Sequence, residues 1–65
     1  MDIKKLEVLL KVIETKSLTA AGNQLGFTHS GVSHLIKTIE DECGFPVLIR
    51  GKGGVRLTEN GRALL

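Results

Sequence analysis

Tryptophan and tyrosine are absent from this 65-residue chain, and Phe27 and Phe45 are its only aromatic residues. Proteins that grip single-stranded nucleic acid need aromatic platforms for the bases to stack on, and this scarcity argues against that mode of binding. There is one cysteine, Cys43, which rules out an internal disulfide framework and suits a reducing cytosol. No apolar run approaches the roughly 20 residues needed to span a bilayer. The N-terminus mixes acids with its lysines and spaces its apolar residues periodically, unlike a signal peptide. The expectation is a soluble, cytoplasmic protein with no membrane partner.

What is present is enough for one small domain. Hydrophobic residues make up 42% of the chain, so a packed core is expected in place of disorder. The formal net charge is only +2, but it is unevenly placed. From Cys43 onward the basic residues are Arg50, Lys52, Arg56 and Arg62, against the single acid Glu59. A positive C-terminal third on a near-neutral body suits a polyanion partner, although simple solubility would also account for it.

Asp2 can cap a first helix, in which Leu6, Leu9, Leu10 and Ile13 recur at i, i+3, i+4 and i+7 with Val12 beside them. Lys4, Lys5, Lys11 and Lys16 fall mostly outside that stripe. Ser17 caps a second helix, whose small Ala20 and Ala21 permit close packing and which ends at Gly26. Thr28 caps a third. Its apolar residues Val32, Leu35, Ile36, Ile39 and Cys43 occupy one sector, and His29, Ser30, Ser33, His34 and Lys37 occupy another. Gly44 ends this helix and Pro46 prevents its resumption.

Residues 47–50 then read as a strand, Gly51-Lys52-Gly53-Gly54 as a turn and residues 55–57 as a returning strand. Thr58 can cap a fourth helix from Glu59 onward. Gly61 is awkward there, costing roughly 1 kcal/mol against alanine. That helix has no stop signal before Leu65, so the chain reads as the front piece of a longer protein. Three helices, a glycine-turn hairpin and the start of another helix describe a mainly α, winged helix-turn-helix fold. Residues 1–57 form the domain and residues 58–65 the beginning of a linker helix. In such a fold the N-terminal half of the third helix projects into the major groove of DNA.

Several catalytic or metal readings fail on spacing. His29 and His34 diverge by about 140° around a helix, so they do not form an i, i+4 metal pair, and with one cysteine and no nearby carboxylate of suitable spacing a zinc site is not expected. Gly51-Lys52-Gly53-Gly54 is not a phosphate loop, because Pro46 stands where the first glycine should be and no Ser or Thr follows Lys52. Cys43 completes the apolar stripe and reads as structural. Glu40, Asp41 and Glu42 point in different directions and read as solvent charge that repels DNA from that end of the helix, not as a catalytic pair. No enzyme is indicated.

The ordered set Leu6, Leu9, Ser17-Leu18-Thr19-Ala20-Ala21, Leu25, Val32-Ser33, Ile36, Ile39-Glu40, Gly44, Arg50 and Leu57-Thr58-Glu59-x-Gly61 resembles the N-terminal domain of LysR-type transcriptional regulators over nearly the whole chain. The resemblance implies a bacterial, sequence-specific binder of double-stranded DNA. In that family a dimerising linker helix and an effector-binding domain follow. The intact protein would then act as a homodimer or dimer of dimers on an interrupted inverted repeat. It would respond to a small-molecule effector, with no cofactor in this domain.

Carried over position by position, the family's base and phosphate contacts fall on Thr28, His29, Ser30, Ser33, His34 and Lys37, its wing contacts on Arg50 and Lys52, and a further phosphate contact on Thr19. The chain departs from the pattern at His29, Ser30 and His34, where glutamine, proline and arginine are common in the family, and at Leu48 in place of phenylalanine. Without that arginine the commonest bidentate guanine contact is lost, so base preference should differ. The two histidines also make binding pH-sensitive, tighter near pH 6 than pH 8. Two alternatives remain open on sequence: a regulator of the molybdate-responsive type that shares this DNA-binding unit, and a winged-helix module that binds protein.

Overall fold

Among the described residues every helix starts on a side chain that accepts a backbone N–H three residues later. In the computed structural model, which describes residues 2–65, Asp2 accepts from Lys5 at 2.9 Å, Ser17 from Ala20 at 3.1 Å, Thr28 from Gly31 at 3.0 Å and Thr58 from Gly61 at 2.8 Å. Each cap satisfies one of the N–H groups that a helix leaves orphaned, worth about 1 kcal/mol. The helices are α1 (Ile3–Thr15), α2 (Leu18–Leu25), α3 (His29–Cys43) and α4 (Glu59–Leu64), with strands β1 (Leu48–Gly51) and β2 (Gly54–Leu57) between the last two. The left-handed residues Gly26 and Gly44 close α2 and α3.

The first three helices enclose the core. Val8, Leu9 and Val12 of α1 meet Leu18 and Ala21 of α2 and Val32, Ile36 and Ile39 of α3, and Val47 and Val55 seal it from the hairpin side. The expected stripe on α1 is therefore displaced. Leu10 is 48% exposed and Val8 is fully buried. Neighbours on three sides decide this. Contacts from α2, α3 and β2 centre the buried sector of α1 between Leu9 and Val12, and Leu10 lies beyond its rim. Lys5 lies in line with Leu9 and Val12, and its ammonium donates to Glu42 at 2.6 Å, tying the start of α1 to the end of α3. Lys4 sits over the Phe27 ring, 5.5 Å from its centre.

The hairpin is antiparallel, with Leu48 opposite Leu57, Ile49 opposite Arg56, Arg50 opposite Val55 and Gly51 opposite Gly54. Its first strand begins one residue later than the sequence suggests, because Val47 spends its backbone elsewhere. The Val47 N–H donates to Glu40 at 2.7 Å, and its carbonyl accepts from the Thr58 N–H at 2.8 Å. Gly61 is no defect. A Cβ there would lie 2.6 Å from the Val47 carbonyl oxygen, so only glycine lets α4 seat against the base of the hairpin. Among the described residues no buried side-chain nitrogen or oxygen lacks a partner, and no helix is long and apolar enough to cross a membrane.

Candidate nucleic-acid interface

The polar sector of α3 lies on the surface at the end nearest α2 and the hairpin. Thr28, His29, Ser30, His34 and Lys37 are exposed, and Ser33 is half-buried. Their position follows from the apolar sector. With Val32, Ile36 and Ile39 held in the core, residues about half a turn away must face outward. The Thr28 hydroxyl is already an acceptor for Gly31 N–H, and its proton remains able to donate outward.

Two open grooves organise these residues. One, of about 230 Å³, runs between α3 and the hairpin and is lined by Leu18, Ser33, Ile36, Lys37, Glu40, Leu48, Arg50 and Val55. The other, of about 280 Å³, lies where α2 and α3 begin, and its polar wall includes Thr19, His29 and Arg50. Arg50 borders both. Thr19, His29, Ser33, Lys37 and Arg50 thus share one continuous face built from three elements. Ser30 and His34 are on α3 outside both grooves, and Lys52 stands in the hairpin turn beside Lys16 and Arg56.

The charges on this face are loosely held. Lys37 reaches Asp41 at 3.7 Å, with both side chains largely exposed. Such a surface pair is weak, so the ammonium can exchange its carboxylate for another anion at little cost. The three consecutive acids of α3 do not act together. Asp41 pairs with Lys37, Glu42 with Lys5, and Glu40 turns inward to accept the N–H groups of Val47 and Leu48 at 2.7 and 3.3 Å. Glu40 is therefore a structural clamp between α3 and the hairpin, not the solvent charge expected from its position. Sequence reasoning also passed over Lys16. It ends α1 in a left-handed conformation and lines the second groove as well as the depression at the hairpin tip. The usable signal was its place immediately before the cap Ser17, where the chain must turn between two helices.

Among the described residues no three His, Cys, Asp or Glu side chains gather closely enough to hold a metal ion.

Residues 3–62 match the family described as bacterial regulatory helix-turn-helix protein, lysR family. The chain is 42% identical over 65 residues to the probable HTH-type transcriptional regulator LrrA of Synechococcus elongatus, and it spans 22% of that relative's length. Its fold superposes with a TM-score of 0.89 on the BenM DNA-binding domain solved with benA site 1 DNA, at 30% identity, covering 98% of this chain and 72% of that one. The CbnR DNA-binding domain in its DNA complex gives the same TM-score of 0.89 at 26% identity, covering 100% and 75%. A match over nearly all of its residues, in sequence and in fold, makes this chain a member of the LysR family of bacterial helix-turn-helix regulatory proteins.

Proposed function

We propose that this domain binds double-stranded DNA sequence-specifically and serves bacterial transcription regulation, with the N-terminal half of α3 in the major groove and the hairpin as a wing on the adjacent backbone. The observation that carries this reading is the single accessible face on which Thr19, His29, Ser33, Lys37 and Arg50 converge from α2, α3 and β1. Short hydroxyls and imidazoles can address base edges and phosphates, and the cations add a phosphate-seeking rim. The likeness to BenM and CbnR domains solved on DNA supports it.

In this reading Thr28, His29, Ser30, Ser33 and His34 supply the α3 contacts, Lys37, Arg50 and Lys52 neutralise phosphates, and Thr19 adds a phosphate contact at the start of α2. Residues 1–57 form the DNA-binding unit, and residues 58–65 begin a linker helix through which the whole protein dimerises. The domain needs no cofactor and performs no catalysis. A small-molecule effector acts on the remainder of the protein, which works in the cytoplasm as a dimer or dimer of dimers.

The test is a salt-titrated selection of bound duplex from a random pool. About four phosphate contacts per domain give a log–log salt slope of roughly −3 to −4 per half-site. A slope near zero, or no enriched sequence, contradicts the proposal.

A further inference from the structure

A two-stranded hairpin with four-residue strands has little stiffness of its own, so whatever fixes its angle decides where its cations stand. The wing is anchored at its base by Glu40, which accepts the Val47 and Leu48 N–H groups, and by the Val47 carbonyl, which accepts from Thr58. Those bonds would leave the far end free to pivot. A second anchor lies nearer the tip. The Val55 N–H points away from β1 and donates to the Lys16 carbonyl at 3.0 Å, so the end of α1 occupies the open edge of β2.

Both partners in this junction adopt unusual backbone conformations. Lys16 is left-handed, with φ 59° and ψ 24°, and is the one non-glycine with positive φ among the described residues. Its N–H is used on the Val12 carbonyl at 2.7 Å, which ends α1 and turns the Lys16 carbonyl toward the wing. Non-glycine residues stay in that region only where the surroundings over-determine them. Gly54, just before Val55, has φ 101°. A Cβ on it would fall 2.5 Å from the Lys16 oxygen and 3.2 Å from the Lys16 Cβ. Two stretches of main chain can meet here only because residue 54 has no side chain. Gly53, its neighbour in the turn, has open space around it.

We infer that the Lys16–Gly54 junction sets the angle of the wing against α3, and thereby places Arg50 and Lys52 for the phosphate backbone. Lys16, through its carbonyl, and Gly54 are positioning residues, separate from the side chains that touch nucleic acid. This inference rests on the DNA-binding reading above and adds to it how the wing is aimed.

The experiment compares the protein with its Gly54→Ala and Gly53→Ala variants on the duplex recovered by selection and on a single-base-pair variant of that duplex, over a salt series. The expected result for Gly54→Ala is a slope shallower by roughly 1–2, from loss of the wing's phosphate contacts, and affinity about tenfold weaker near 0.15 M salt. Its discrimination between the two duplexes should stay within about twofold of wild type, because α3 reads the bases. Gly53→Ala should match wild type in both. A folded Gly54→Ala protein with the wild-type slope overturns the inference, and so does equal loss in the Gly53→Ala control.

Amide exchange in the unmodified protein supplies a measurement that does not depend on a variant folding. Val55 N–H should be protected like the ladder amides, and exchange as fast as that of Lys52 in the turn overturns the junction. Wild-type binding without salt dependence would instead bring down the DNA reading itself.

Discussion

The Lys5 ammonium lies 2.6 Å from a Glu42 carboxylate oxygen and so joins the first turn of α1 to the last turn of α3. The hydrogen bond from Lys5 holds the Glu42 carboxyl below its ordinary 4.5, and the same bond is the main reason the Lys5 ammonium sits above its ordinary 10.5. A lowered carboxylate contributes stability that is present above the ordinary carboxylate value and is lost as pH falls through the folded-state value. A raised ammonium contributes stability present below 10.5 and lost as pH rises through its own folded-state value. The melting temperature should therefore be flat through the neutral range and fall at both extremes. In Glu42→Gln the neutral plateau drops toward the acid-side values, and the gap from wild type closes as pH falls through the lowered Glu42 value, below 4.5. Thermal melts followed by circular dichroism across pH, at low salt, check this.

Gly61→Ala sets two effects against each other. Helix propensity favours alanine by roughly 1 kcal/mol, whereas its Cβ would press on the Val47 carbonyl oxygen at 2.6 Å. Backbone cannot yield as a side chain does, so overpacking wins and the net loss should be about 1–2 kcal/mol. Urea unfolding of the two proteins measures it, and a more stable variant would contradict the close approach.

Lys37 and Arg50 approach one groove from opposite walls. Each Ala variant should weaken DNA binding about equally on all sequences and flatten the salt slope by about 1. Ser33→Glu places a carboxylate in the same groove and should reduce binding far more, at least 100-fold by rough estimate from like-charge juxtaposition. Fluorescence anisotropy with a labelled duplex distinguishes these outcomes. A protein-binding module would instead tolerate Ser33→Glu and Lys37→Glu in its partner assay.

His29 and His34 are both exposed on the outward sector of α3. Either imidazole can donate to or accept from a base edge. The double variant His29→Ala, His34→Ala should lose discrimination between the selected duplex and a single-base-pair variant of it, while the salt slope holds. Unchanged discrimination in the anisotropy assay would remove the histidines from the base contacts.

Features encoded over short distances were legible in the sequence. Asp2, Ser17, Thr28 and Thr58 announce helix starts, and Gly26 and Gly44 announce ends, because capping depends on the next three or four residues. The division of α3 into core and outward sectors was equally plain, since its apolar residues leave one choice of face. Legibility failed where a distant partner decides. Periodicity favours Leu10, which extends the stripe of Leu6, Leu9 and Ile13, and only the arrangement of α2, α3 and β2 chooses Val8 for the core. Glu40 and Lys5 look like surface charges until the hairpin and the end of α3 arrive beside them. Gly61 looks costly until Val47 is found against it.

The family match supplied the distinction between regulator classes that the winged fold left open. For the interface, the residue types were readable. Their convergence on Arg50, and the part taken by Lys16, required the folded chain.

The Thr58 hydroxyl donates to the Pro46 carbonyl at 2.7 Å while accepting the Gly61 N–H at 2.8 Å. One oxygen thus rivets the end of the α3–β1 connection to the first turn of α4. A rotation of α4 about this joint must therefore break one of the two bonds or carry Pro46 with it.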